Sequence, residues 1–174
     1  MNDLKVFLGP LLRKDLDTLF KWINDRNLVV KSNKYNPIHE LNHIEWFNSI
    51  VKNPNVRIFS IRLCGSNKII GTCQLYSIDW VNRSAELQIR IGEYNYQGKG
   101  LGKQVLLMLL NYGFKDLNLH RIYLRVFENN ERAIRLYKSI GFKVEGTLRD
   151  ADFLDGKYLN IIMMSILKNE FEIA

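Results

Sequence analysis

A chain of 174 residues, 47% hydrophobic and 11% aromatic, is long enough to bury one sizeable core and short for two, so a single domain over residues 1–174 is expected. No apolar run approaches the ~20 residues of a bilayer-spanning helix, and Met1–Lys5 carries Asp3 and leads into no long apolar stretch, so the expectation is a cytoplasmic protein with no signal peptide and no membrane partner. The net charge of +7 comes from eight Lys/Arg against six Asp/Glu in residues 1–54 and ten against five in residues 99–150, an interleaved excess that suits an anionic small ligand and argues against nucleic acid.

Val6 to Leu8 is a short apolar run stopped by Gly9-Pro10, as a first strand would be. Asp15 followed by Leu16, Leu19, Phe20 and Ile23 at helical spacing predicts a helix ending at Asn24-Asp25. Asn36-Pro37 breaks the chain, and Leu41, Ile44, Phe47 and Val51 predict a second amphipathic helix that stops at Asn53-Pro54. Arg57 to Cys64 and Ile69 to Tyr76 are β-rich runs joined by Gly65-Ser66-Asn67-Lys68, a hairpin signature. Cys64 and Cys73 fall on that hairpin with no C-x-x-C or Cys/His cluster, so buried free thiols are expected and not a disulfide or zinc framework.

From Arg83 to Ile91, Ala85, Leu87, Ile89 and Ile91 alternate with Glu86, Gln88 and Arg90, a strand with one apolar and one polar face. A glycine-rich loop leads into a long helix through Leu101, Val105, Leu109 and Phe114 that ends near Leu117, and Arg121 to Phe127 reads as a strand. Ala133, Ile134, Tyr137 and Ile140 share a helix that Gly141 closes with a left-handed cap. Phe142 to Gly146 and Tyr158 to Leu167, the latter after an Asp155-Gly156 turn, complete the sheet.

The most informative segment is Gln97-Gly98-Lys99-Gly100-Leu101-Gly102-Lys103. Glycines at alternate positions leave bare amides at a helix N-terminus, where they and the helix dipole cradle an anion, and Lys99 and Lys103 add full charges. A pyrophosphate is the expected guest. The triphosphatase loop G-x-x-x-x-G-K-[ST] fails because Gln104 follows Lys103, and the dinucleotide fingerprint G-x-G-x-x-G fails because Lys103 stands at its third glycine. The pattern [QR]-x-x-G-x-[GA] fits. Together with Asn130-x-x-Ala133-x-x-Leu136-Tyr137, then Gly141-Phe142, and with Asp15-Leu16 and Trp22-Ile23-Asn24 upstream, it resembles the GNAT superfamily of N-acetyltransferases. The resemblance is to the branch of ribosomal-protein alanine, spermidine and nucleotide-linked amino-sugar acetyltransferases.

That resemblance implies an α+β fold: a central mixed, mostly antiparallel twisted sheet of about seven strands flanked by about four helices. It implies acetyl-CoA as cosubstrate, no metal, and direct transfer of acetyl to a primary amine. Gln97 to Lys103 would hold the pyrophosphate, and Ile89, Arg90 and Ile91 the pantetheine arm, with a backbone amide there on the thioester carbonyl. Tyr137 would protonate the departing thiolate, although a tyrosine on an apolar helix stripe is otherwise a core residue. Asn130 would be a coenzyme contact as well as a helix N-cap. Glu86 stands as positioner or proton relay for the amine, with a solvated strand carboxylate as the competing view.

The acceptor pocket in this family is built by the N-terminal helices, which nominates Trp22, Tyr35, His39 and Glu40, with His43, Trp46 and Phe47 beside them. Trp22 to Asp25 and Glu45 to Phe47 look most like the amino-sugar enzymes, so a small amine of that kind is the first expectation. Spermidine and protein N-termini are the alternatives, and polyamines would want more acid than Asp25, Glu40, Glu45 and Glu86 supply. Two other classes compete. His39-Glu40-x-x-His43 spells a zinc metallohydrolase motif, but it begins just after Pro37 and lacks a placed third ligand; a non-catalytic acyl-CoA-binding module would not need Tyr137. A homodimer or higher homo-oligomer is left open.

Overall fold

A computed structural model describes residues 4–173, and their organising feature is a sheet of seven strands: β1 (Val6–Gly9), β2 (Arg57–Leu63), β3 (Ile69–Asp79), β4 (Ser84–Ile91), β5 (Arg121–Phe127), β6 (Lys143–Leu154) and β7 (Lys157–Leu167). Their order across the sheet is β1-β2-β3-β4-β5-β7-β6. Six helices accompany it among the described residues: α1 (Leu16–Asn24), α2 (Arg26–Val29), α3 (Glu40–Ile50), α4 (Leu101–Asn111), α5 (Glu131–Lys138) and α6 (Lys168–Ile173). Four of these are the helices the sequence predicts; α2 and α6 are short additions.

Every neighbouring pair of strands is antiparallel except β4 and β5. These two are joined by α4, the kind of crossover that parallel neighbours require. They pair only through Ser84↔Arg121, Ala85↔Ile122 and Glu86↔Tyr123. Past Glu86 they part. β4 stays registered on β3 as far as Gly71↔Ile91, and β5 on β7 as far as Phe127↔Ile161. Each strand is therefore satisfied along one edge and open along the other, and a wedge-shaped gap forms in the middle of the sheet.

The alternation in β4 sorts its two faces. Ala85 and Leu87 are buried in the main core with Leu75, Ile122, Leu124 and Met164, under Leu101, Val105, Leu106, Leu109 and Leu110 of α4. Those five α4 side chains are at most 1% exposed, and burying each contributes roughly 2 kcal/mol. A second, smaller cluster of Leu19, Trp22, Leu28 and Ile69 packs with Leu11 and Trp46 on the N-terminal helices. An ion pair fixes the entry to α1: Arg62 Nη2 donates to Asp15 Oδ2 at 2.5 Å, and the Leu12 amide donates to the same oxygen at 2.8 Å.

Several boundaries differ from the sequence expectation. β3 runs past Tyr76 to Asp79, and β6 runs past Gly146 to Leu154. α3 buries little of its predicted stripe: Leu41 and Val51 are 74% and 51% exposed, and its one fully buried side chain is His43. Cys64 is exposed, in contrast to the expected buried thiol, because it lies at the solvent-facing end of the hairpin; Cys73 is buried and both are free.

Candidate active site

The glycine loop sits at the mouth of the gap between β4 and β5. Gly98 and Gly100 adopt φ of +81° and +77°, a left-handed conformation that other residues reach only at a cost of about 1–2 kcal/mol. Gly100 is the N-cap of α4, and a Cβ built on it meets nothing within 4 Å. Gln97 ties the loop to the end of β4 by donating from Nε2 to the Ile91 carbonyl at 2.9 Å, and its Oε1 accepts from Lys31 Nζ at 3.4 Å.

The gap is a groove of about 900 Å³. One wall is Ile89, Arg90 and Ile91, the floor is Gln97, Gly98, Gly100, Leu101, Gly102 and Lys103, and the other wall runs from Arg125 to Phe127 and on to Asn130, Arg132 and Tyr137. Lys99, expected among the phosphate contacts, is not in the lining; its ammonium lies over the Tyr96 ring at 5.7 Å. The donor set fits a diphosphate: the Leu101 and Gly102 amides open α4, flanked by Lys103 and Arg132, while the Lys103 amide already donates to the Gly100 carbonyl at 3.1 Å.

Asn130 does two things here. Its Oδ1 caps α5 by accepting from the Ala133 amide at 3.2 Å, and its Nδ2 donates to the Lys31 carbonyl at 3.2 Å, drawing the segment after α2 across the groove. About two helical turns on, Tyr137 lines the groove with its ring against Phe142 at 5.7 Å between centroids. Burial pushes its phenol up to about 12, so the hydroxyl stays protonated at any physiological pH.

On the polar face of β4 lies a second cavity, of about 310 Å³. α1 supplies Leu19, Trp22 and Ile23, α3 supplies Asn42, His43 and Trp46, and the sheet supplies Thr72, Gln74, Gln88 and Arg90. Arg90 borders both spaces, so the cavity and the groove adjoin at that side chain. Its guanidinium touches Ser32 Oγ at 3.5 Å, and burial lowers its pKa. Trp22 is held flat on the end of β4: a Cβ on Gly92 would come within 2.1 Å of its Cδ2, and its Nε1 donates to Glu93 Oε1 at 3.3 Å.

Of the residues expected in the acceptor pocket, Trp22 lines this cavity and Tyr35, His39 and Glu40 do not. His39 is the exposed N-cap of α3 and Glu40 its exposed first residue. The helix turns Asn42, His43 and Trp46 inward in their place. Tyr35 sits half-buried in the connection before α3. Glu86 lines neither space; it stands at the vertex of the gap, across from Tyr76 on β3 and Tyr123 on β5. The Tyr76 phenol is pushed up by burial and then by the Glu86 carboxylate.

The H-E-x-x-H spacing does not yield a ligand pair. His43 Nε2 donates to the Leu16 carbonyl at 3.1 Å, and its ring is stacked on Trp46 at 5.4 Å, while His39 points to solvent at the helix start. Among the described residues no cluster of three His, Cys, Asp or Glu has metal-holding geometry. Sequence reasoning missed Thr72, Gln74 and Asn42. The polar alternation of β3 opposite Gln88 and Arg90 was the available signal for the first two.

A parallel strand pair that splays open, a glycine-turned helix N-terminus at its mouth and a buried phenol inside define an acyl-carrier-dependent transferase. Comparison with known proteins makes this specific. A family model for the acetyltransferase (GNAT) domain matches residues 5–143. The spermidine N(1)-acetyltransferase of Escherichia coli (strain K12) is 34% identical over 168 residues, which is 95% of this chain and 88% of that protein. The spermidine N(1)-acetyltransferase of Vibrio cholerae is 34% identical over 166 residues, 94% of each chain. A crystal structure of spermidine N-acetyltransferase from Vibrio cholerae in complex with CoA and spermine matches the fold with a TM-score of 0.89 at 32% identity, over 96% of this chain and 98% of that one. The chain belongs to the GNAT acetyltransferase family and is an acetyl-CoA-dependent N-acetyltransferase.

Proposed function

We propose that the acceptor is a small-molecule primary amine of the polyamine class, acetylated where the 310 Å³ cavity meets the groove at Arg90. The relatives carry the choice of acceptor: both sequence relatives are named for spermidine, and the structural one holds spermine. The amino-sugar acceptor expected from Trp22 to Asp25 and Glu45 to Phe47 finds no counterpart in those three proteins and gives way. The cavity walls, Leu19, Ile23, Ile38, Trp22 and Trp46, suit a methylene chain.

Acetyl-CoA supplies an activated acyl group whose thioester carbonyl a free amine can attack. This chain's residues do the rest. The Gln97 to Lys103 loop and Arg132 hold the diphosphate, and the open edge of β4 offers main-chain groups to an extended arm. Tyr137, kept protonated by its surroundings, holds a proton for the leaving sulfur. Glu86, outside both spaces with Tyr76 and Tyr123 across from it, takes the proton that the amine gives up by way of water.

One observation favours a second acceptor class. Among the residues lining the cavity there is no carboxylate and one guanidinium, Arg90, which repels a polycation and suits a neutral or anionic amine such as a nucleotide-linked amino sugar. Free-thiol release from acetyl-CoA with spermidine, spermine, an amino-sugar nucleotide and a peptide N-terminus separates the readings. Spermidine or spermine should give the highest kcat/KM. Turnover of the sugar nucleotide alone would overturn the polyamine assignment.

A further inference from the structure

Arg90 ends the polar face of β4 and borders both the acceptor cavity and the groove. The residue is half-buried and its guanidinium keeps its charge, yet it forms no ion pair among the described residues. Its side-chain hydrogen bond to Ser32 Oγ is long, at 3.5 Å. No Asp or Glu lines either space. The contrast is Arg62, whose buried guanidinium is matched by Asp15 at 2.5 Å. A charge withdrawn from water is normally matched by an opposite one, so an unmatched guanidinium where the two spaces adjoin points to negative charge that comes with the reactants.

Three sources of that charge are at hand. Phosphates are served at the loop end of the groove by Lys103, Arg132 and the amides that open α4. An acceptor of the polyamine class brings positive charge only. The third source is the acyl carbonyl: as the amine lone pair forms the new C–N bond, the C=O π pair moves onto oxygen. It returns when the C–S bond breaks and its electron pair leaves on sulfur, which takes its proton from Tyr137 while the amine proton goes to Glu86 by way of water. We propose that Arg90 is a catalytic residue that stabilises the negative charge developing on this oxygen, its guanidinium donating from the acceptor side of β4. The inference rests on the reading that transfer occurs where cavity and groove adjoin. A fixed cation in a site partly screened from water acts strongly on charge that appears in the transition state. The same cation opposes a cationic acceptor before reaction. Arg90 therefore weakens polyamine binding and speeds the step that follows, which is preferential binding of the transition state.

The test compares wild type, Arg90→Met and Arg90→Lys. It measures kcat with the best amine of the panel above, calorimetric titration of acetyl-CoA, and calorimetric titration of spermine into CoA-saturated protein. Arg90→Met should lower kcat about 10²-fold, the scale of one lost oxyanion donor. It should bind acetyl-CoA within about twofold of wild type, which also shows that it is folded. Its spermine dissociation constant should fall about three- to tenfold, because a repulsive charge is gone. Arg90→Lys keeps the charge without the planar fork and should recover part of the lost kcat. Slower turnover together with tighter acceptor binding is a split that a structural role would not produce. Unchanged kcat in Arg90→Met, or a kcat for Arg90→Lys no higher than for Arg90→Met, overturns the inference while the acetyltransferase reading stands. Weakened acetyl-CoA binding would assign Arg90 to the phosphates, and weakened amine binding would assign it to an anionic acceptor; either result overturns it as well. Silence of the wild type across the whole panel overturns the acceptor reading and this inference together.

Discussion

Replacing Tyr137 with Phe removes one oxygen and leaves the ring. The ring packs against Phe142 and borders the main core, and no hydrogen bond joins its hydroxyl to another described residue, so the substitution costs the fold little. The chemistry should suffer far more. A positioned proton donor contributes about 10²–10⁴-fold to rate, and the buried phenol, with its pKa up at about 12, keeps its proton throughout the neutral range. The expected fall in kcat is about 10²–10³-fold, equivalent to roughly 3–4 kcal/mol of transition-state stabilisation. The acetyl-CoA dissociation constant should stay within about twofold. Initial rates of thiol release between pH 6 and 10, with calorimetric titration of acetyl-CoA on the same preparations, provide the measurement. Wild type should show no loss of rate from phenol ionisation across that range. Full activity of the Phe variant at every pH would remove Tyr137 from the mechanism.

Other outcomes follow from single contacts. Gly100→Asp sets a negative charge and a left-handed strain of about 1–2 kcal/mol at the phosphate end of α4, so acetyl-CoA binding should be lost while the thermal midpoint falls only a few degrees. Gly71→Ala would place a Cβ within 2.2 Å of the Arg90 carbonyl in β4, and should cost about 3 kcal/mol in urea unfolding. The same change at Gly146, where nothing lies within 4 Å, should stay within about 0.5 kcal/mol. Asp15→Asn leaves the Arg62 guanidinium, 3% exposed, without its counter-charge, an expected loss of about 3–5 kcal/mol. Replacing Asp15 and Arg62 together by apolar residues should restore much of that stability.

The elements that build the groove were legible because their signals are local. Left-handed glycines, an Asn N-cap and an apolar stripe at helical spacing each act within a few residues, and Gln97 to Lys103 apart from Lys99, with Asn130 and Tyr137, reach one groove. The acceptor side was less legible because it is assembled from α1, α3, β3 and β4, whose mutual placement no short motif encodes. Tyr35, His39 and Glu40 had the right chemistry on the wrong side of a helix start, whereas Trp22, His43 and Trp46 from the same set line the cavity. The length of β6 was obscured for another reason: an exposed edge strand carries no apolar alternation, and its pairing with β7 shifts register twice.

The proposed coenzyme site requires main-chain amides of the 97–103 loop to grip a diphosphate and aim the thioester into the gap between β4 and β5. Calorimetric titration with acetyl-CoA tests this most directly, run on wild type, Gly100→Asp and Tyr137→Phe with free CoA as competitor. The expected result is saturable one-site binding to wild type and Tyr137→Phe, displaced by CoA and absent from Gly100→Asp. Wild-type protein that takes up no acetyl-CoA, or a Gly100→Asp variant that binds it as tightly as wild type, would contradict the account.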